Sequence, residues 1–320
     1  MGTRDTRGFS LLELMIALAL GLTLLAAFLA VLQRCRAGFA AGESLARLQD
    51  SARQALSVLV PDIEHAGFYG FTNQPSIRLI GALPAGIHAC GTHFATELSI
   101  AAQGSDNSFR LGADARDCAP TASADGARAG SDTLTLRHAS RGTVAPHAGR
   151  LQIYSSILES AGPLLLFGDG RAPGPIDAGH VVRDLEVRSY YIATSSVDRP
   201  GWPALRVKSL TESGGAAQYR DEEILAGVED LQVELGVAIR TDDGAVRTHF
   251  VAPDEPRARE GAIVAVRLWL RIRADVTEPG FRDDRDLLYA NVHFSPSSTE
   301  IGQRRLLVER TVALRNARPP

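Results

Sequence analysis

The sequence predicts an α+β protein: a long N-terminal helical spine, half of it apolar enough for a membrane, packed on a head built mainly of antiparallel β-sheet. Two textures carry this prediction. From Phe9 to Leu32 the only charged side chain is Glu13, and beyond that run apolar residues recur at steps of three and four as far as Leu59. After Gly67 the pattern changes to short alternating runs separated by turn residues.

The apolar run comes first. A helix of about two dozen residues at ~1.5 Å each spans ~36 Å, enough for the hydrocarbon core of a bilayer. A secretory signal has a shorter apolar region of about 7 to 15 residues. The small residues of Ala37 to Ser44 nevertheless resemble a cleavage region, so an ordinary signal peptide stays open as an alternative. Arg4 and Arg7 ahead of the run favour a cytoplasmic N-terminus, but Arg34 and Arg36 follow it closely, and charge alone sets the orientation only weakly.

Past the run, Ala41, Leu45, Leu48, Ala52, Ala55 and Leu59 form one stripe, with Glu43, Arg47, Gln49, Asp50 and Arg53 off it. The stripe is expected to pack on the head. Pro61 lacks a backbone donor and is expected to kink or end the helix, with Asp62 to Gly67 adding at most a turn and Gly67 as its stop.

In the head, Asp132–His138, Arg183–Ala193, Ala204–Leu210, Asp230–Val237 and Ala262–Arg273 read as strands, and Arg304–Asn316 as a closing strand. In the clearest, Val264, Val266, Leu268, Leu270 and Ile272 are expected on one face, with Arg267, Trp269, Arg271 and Arg273 on the other. Asp243-Gly244, within Thr241–Ala245, marks a tight hairpin. Two segments rich in small and polar residues, Gly112–Ser131 and Gly168–Gly179, read as surface loops.

Composition excludes some partners. The chain of 320 residues carries 34 basic and 37 acidic side chains for a formal charge of -3, without a block of either sign, so no nucleic acid is implied. Cys90 and Cys118 could close a disulfide in an oxidising compartment, contributing about 3 to 4 kcal/mol on the chain-entropy model. A sharper alternative uses the same thiols with His88 and His93 as a zinc set, although the spacing matches no familiar finger or ribbon. Cys35 is left over, as a small residue buried in helix packing or an intermolecular bridge. Asp283, Asp284 and Asp286 lack the spacing of a calcium loop and read as a solvated charge cluster. No nucleophile elbow or metalloprotease helix occurs, the glycines of Gly168–Gly174 run into Pro175 rather than a helix, and His138 and His180 have no partner identifiable from spacing. The sequence points to no metal, no cofactor and no enzyme.

Glu13 remains to be explained, because an acid central in a membrane helix costs about 2.5 to 3.5 kcal/mol. A carboxylate near the headgroups is one answer. Its setting suggests another: Gly8 and Phe9 precede it within one and a half helical turns, and a cut between them would create an amine that Glu13 of a neighbouring copy could neutralise. Gly8, Phe9 and Glu13, after a short charged leader and opening a long apolar helix, resemble the class III signal of type IV pilins and the related type II secretion pseudopilins. The resemblance implies that a prepilin peptidase cuts after Gly8 and methylates the Phe9 amine, and that Glu13 pairs with the terminal amine of an adjacent subunit. It divides the chain into a leader over 1–8, a spine over 9–66 with its membrane segment over 9–32, and a head over 67–320.

Ala46–Phe71, Gly130–His138, Glu222–Val237 and Thr311–Asn316 are together similar to PilW-type minor pilins. Two positions depart from that pattern: Pro61 interrupts a stretch that is usually unbroken helix, and Phe71 stands where many relatives carry a cysteine. The resemblance implies a low-abundance subunit that joins other minor pilins and the major pilin, primes pilus assembly, sits near the tip and supports adhesion and twitching motility. It would reside in the inner membrane with its head in the periplasm before assembly, and in the extracellular pilus afterwards. A J-type pseudopilin of a type II secretion system and, more remotely, a membrane-anchored periplasmic enzyme are the competing readings.

Overall fold

The computed structural model describes residues 10–71, 76–111, 118–158, 162–278 and 280–317. One helix, α1 (Leu11–His65), makes up the spine. Its start is written locally: the Ser10 hydroxyl accepts from the Leu12 amide at 3.1 Å, and the Glu13 carboxylate accepts from the Ser10 amide at 3.0 Å, a reciprocal capping box. Its end is set by Ala66, which leaves the helical conformation, and by Gly67 at φ +80°, whose amide donates to the Arg137 carbonyl.

α1 runs through Pro61 for one further turn to His65, so of the outcomes expected of the proline it does not end the helix, and the added turn stops at Ala66–Gly67. A proline inside a helix costs about 3 kcal/mol. Leu59 and Ile63, on either side of it, are fully buried, and burying a side chain of that size contributes about 1.5 to 3 kcal/mol each. Packing on the head therefore outweighs the missing hydrogen bond.

The head holds two main sheets. β1 (Ile77–Leu79), β2 (Ala102–Ser105), β3 (Thr133–Ala139), β4 (Ala148–Ser156), β5 (Leu164–Asp169), β6 (His180–Ala193), β7 (Ala204–Ser213) and β8 (Ala216–Ala226) make an eight-stranded sheet. Its path runs β1-β5-β4-β6-β3-β2, with β7 on the far part of β6 and β8 beyond it. All pairs are antiparallel except β1 with β5. β9 (Val228–Arg240), β10 (Val246–Val251), β11 (Ala262–Thr277) and β14 (Gln303–Ala313) form a second, wholly antiparallel sheet in the order β10-β9-β11-β14. The short α2 (Pro256–Glu260) precedes β11, and β12 (Leu287–Tyr289) and β13 (Val292–Phe294) make a small hairpin.

The buried stripe of α1, from Leu48 through Ala52, Ala55 and Leu59 to Ile63, packs with residues from both sheets in one core. A second core lies on the opposite face of the larger sheet, where the irregular segment carrying Ile87, Cys90, Phe94 and Leu98 covers Ile153, Leu166, Leu185 and Val187. Cys90 and Cys118 are joined there in a disulfide. Two faces of one sheet are thus buried, which is why β3 is buried along its whole length.

In β11, Val266, Leu268, Leu270 and Ile272 face the spine as expected, but Val264 does not join them. The strand bulges between Ile263 and Ala265 against β9, and Ile263 packs on the core instead. The opposite face is not simply solvated. Arg271 and Arg305 are buried against Glu229, at 3.0 and 2.8 Å, under the β12–β13 hairpin, with Tyr289 donating to Asp230 at 2.6 Å. The Thr241–Ala245 turn closes the β9–β10 hairpin, with Gly244 at φ +81°.

Candidate functional site

The first half of α1 stands clear of the head. No residue of the helix before Ser44 is buried, and thirteen large apolar side chains between Leu11 and Val31 are exposed. At about 1.5 to 3 kcal/mol for each such side chain, leaving them in water costs more than the 5–15 kcal/mol by which a domain is stable. The arm is long and apolar enough to cross a membrane, with a mean hydropathy of 2.7 over its best window, and it demands cover by lipid or protein. Glu13 is the only charge from Ser10 to Gln33, and it sits in the first turn, where the unpaired amides of a helix N-terminus favour an anion. Gly8 and Phe9 lie outside the described residues. Cys35 is exposed on the same arm, so its expected burial in helix packing does not occur within the single chain.

The other half of α1 ends on a buried charge cluster that spacing did not reveal. Asp62 is 5% exposed and its carboxylate accepts three hydrogen bonds: from His138 Nε2 at 2.9 Å, Arg188 Nη1 at 3.0 Å and the Tyr190 hydroxyl at 2.9 Å. Arg188 also pairs with Glu186. Burial by itself would raise the pKa of Asp62, but the His138 hydrogen bond and the His138 and Arg188 charges bring it below the ordinary carboxylate value. For His138, burial pushes downward and the Asp62 hydrogen bond and charge prevail, so it lies above the ordinary value. His65, edge-on to His138 with ring centroids 5.1 Å apart, is held below the ordinary value, chiefly by burial.

The ligand atoms of Asp62, His138 and Glu186 lie within 4.8 Å of one another, close enough to suggest a metal. The Arg188 guanidinium bridges both carboxylates, however, and supplies the countercharge a cation would bring. The sequence signal for this cluster was available: Asp62 falls three residues after Leu59, on the apolar stripe, and an acid on a buried face requires partners.

The zinc alternative is overturned, because Cys90 and Cys118 are bonded to each other while His88 and His93 are exposed. Asp283 is buried and held by Arg285 at 2.6 Å and by the Arg305 amide at 3.1 Å, while Asp284 and Asp286 are exposed, so the solvated reading fits two of the three acids. His180 is paired with Asp177 at 2.7 Å.

Comparisons with known proteins agree with this geometry at both ends of the chain. Residues 3–29 match the family model described as "Prokaryotic N-terminal methylation motif", and residues 189–316 match "Type IV Pilus-assembly protein W". No curated protein matches. Among solved structures, a type IV-like pilin from Thermus thermophilus is 13% identical, with 84% of this chain and 97% of that one covered at a TM-score of 0.34, a likeness too distant to carry an argument. With the methylation motif on its apolar arm and the pilus-assembly model on its closing strands, the chain is similar at both ends to type IV pilin-like proteins of the PilW type.

Proposed function

We propose that this chain is a minor pilin that takes part in type IV pilus assembly and priming, near the pilus tip, and so supports adhesion and twitching motility. Prepilin peptidase removes residues 1–8 by cutting between Gly8 and Phe9 and methylates the Phe9 amine. The spine of residues 9–66 waits in the inner membrane through its segment 9–32, with the head of residues 67–320 in the periplasm, until the subunit joins other minor pilins and the major pilin. It acts as a structural subunit, not an enzyme. The observation that supports this reading is the arm itself: thirteen exposed apolar side chains with one acid, Glu13, in its first turn. Within a bundle of such arms, Glu13 and the Phe9 amine of a neighbour neutralise each other and neither charge is buried alone.

Mass spectrometry of the native protein tests the processing step. The expected N-terminus is methylated Phe9, and Gly8→Ala is expected to retain Met1 or Gly2; an N-terminus elsewhere would overturn the proposal. Glu13→Ala is expected to leave the head folded while lowering incorporation into pili, and undiminished incorporation would remove the pairing role.

A further inference from the structure

His138 lies where the end of the spine meets the head, 3% exposed, and both its ring nitrogens face acceptors. Nε2 is 2.9 Å from Asp62 Oδ1, and Nδ1 is 3.0 Å from the Ala139 carbonyl. A neutral imidazole carries one N–H and cannot donate to both; an imidazolium can. The geometry points to His138 as a proton-operated latch: protonated, it clamps the last turn of α1 to β3, and on losing its proton it loosens that turn from the head.

The charges around the ring make the latch consistent. From α1 come Asp62 and His65, from the turn after β3 comes Arg141, and from β6 come Arg183, Glu186, Arg188 and Tyr190. Protonated His138 and Arg188 balance Asp62 and Glu186. Arg141 reaches the Pro61 carbonyl at 3.5 Å, and Arg183 donates to the Ser140 carbonyl at 2.8 Å, so both cations are directed to backbone beside the pair. His65, edge-on to the ring, is held below its ordinary value chiefly by burial.

When the proton leaves, one N–H remains. If it stays on Nδ1, the Nε2 lone pair faces the Asp62 carboxylate; if it stays on Nε2, the Nδ1 lone pair faces the Ala139 carbonyl. Either arrangement sets two acceptors against each other in a site closed to water, and separating them relieves the repulsion. The strain falls on a defined segment. On either side of the latch, the Gly67 amide donates to the Arg137 carbonyl at 3.0 Å and the Ala139 amide donates to the Phe68 carbonyl. These two bonds tie the chain leaving α1 to β3, and they open if the helix end moves away.

The sign follows from linkage. His138 holds its proton more tightly in the closed junction than in the open one. Between the open-state and closed-state acidities, opening therefore increases tenfold for each pH unit and then levels off. The test is hydrogen–deuterium exchange on the full chain in detergent micelles, read at the amides of Ala66, Gly67 and Ala139 and corrected for the intrinsic pH dependence of exchange. Protection at these amides is expected to fall as pH rises from 6 to 9, while amides in the middle of β9 and β11 stay unchanged.

His138→Gln is expected to abolish that fall, and His65→Gln to preserve it. Should His138→Gln not fold, selective 15N-histidine spectra of the wild-type chain decide, since they require no change at the latch; signals are assigned by substituting exposed histidines such as His88, His93 and His249. A doubly protonated His138 at pH 6 is the expected result. A singly protonated ring at that pH, flat protection between pH 6 and 9, or loss of the effect in His65→Gln would overturn the latch.

Discussion

Replacing Asp62 with alanine removes the acceptor of three buried or half-buried donors at once, and the structure sets the size of the effect. Breaking one side of a buried ion pair typically costs 3–5 kcal/mol, because the remaining charge is left uncompensated. Two features reduce that figure here. Arg188 is 36% exposed at its side chain and keeps Glu186, so it remains solvated and paired. His138 can release its proton and become neutral. The Tyr190 hydroxyl has no such escape: its residue is fully buried, and an orphaned donor of that kind costs about 1–3 kcal/mol. A loss of ~3 kcal/mol follows for Asp62→Ala, or roughly 6–12 °C in Tm for a head of this size.

The pH dependence of that loss identifies its cause. His138, raised in the folded protein, contributes stability that is complete below about pH 6.5 and lost as pH rises through its folded value. Asp62, depressed in the folded protein, contributes above about pH 4, and its contribution is lost as pH falls through its folded value. The difference between wild type and Asp62→Ala is therefore widest from about pH 4 to 6.5 and narrows on both sides. Thermal unfolding of both proteins in detergent, followed by circular dichroism across that range, is the assay. A Tm within a degree or so of wild type at pH 5.5, or a difference independent of pH, would refute the reasoning.

Three further outcomes are expected. Replacing Cys90 and Cys118 together with alanine opens a crosslink spanning 28 residues, which the chain-entropy model values at about 3.6 kcal/mol, and chemical denaturation of the two forms checks it. Leu59→Ala empties a fully buried site between α1 and the sheets and is expected to cost about 2–5 kcal/mol by the same measurement. Gly86→Ala is expected to destabilise the cover over the second core. Gly86 has φ +84° and an added Cβ would lie 2.2 Å from the Ala217 carbonyl oxygen, so faster proteolysis of the 84–101 segment is the readout.

The parts of the fold legible in the sequence are those decided within a few residues. The apolar arm, the spine stripe from Leu48 to Leu59, the strands of the head and the Asp-Gly hairpin each follow from local spacing and are present in the structure, whereas Leu45, expected on the same stripe, stays exposed. The differences share another character. Strict alternation puts Val264 on the core face, but a bulge set by the β9 register displaces it. Alternation also puts Arg271 on an outer face, which the small β12–β13 hairpin covers. The backbone of Pro61 allows the helix to end there, but burial of Leu59 and Ile63 beside it carries the helix one turn further.

What the sequence alone determined is therefore the arm with its single acid, and the alternation between a helical and a stranded half, because apolar periodicity is a property of neighbouring residues. What only the tertiary structure decided is which charges meet. Asp62 finds His138 at a separation of 76 residues and Tyr190 at 128, and no pattern along the chain specifies those distances. A buried carboxylate must find partners wherever the packed sheets bring them, so its requirement could be read from sequence but the identity of its partners could not.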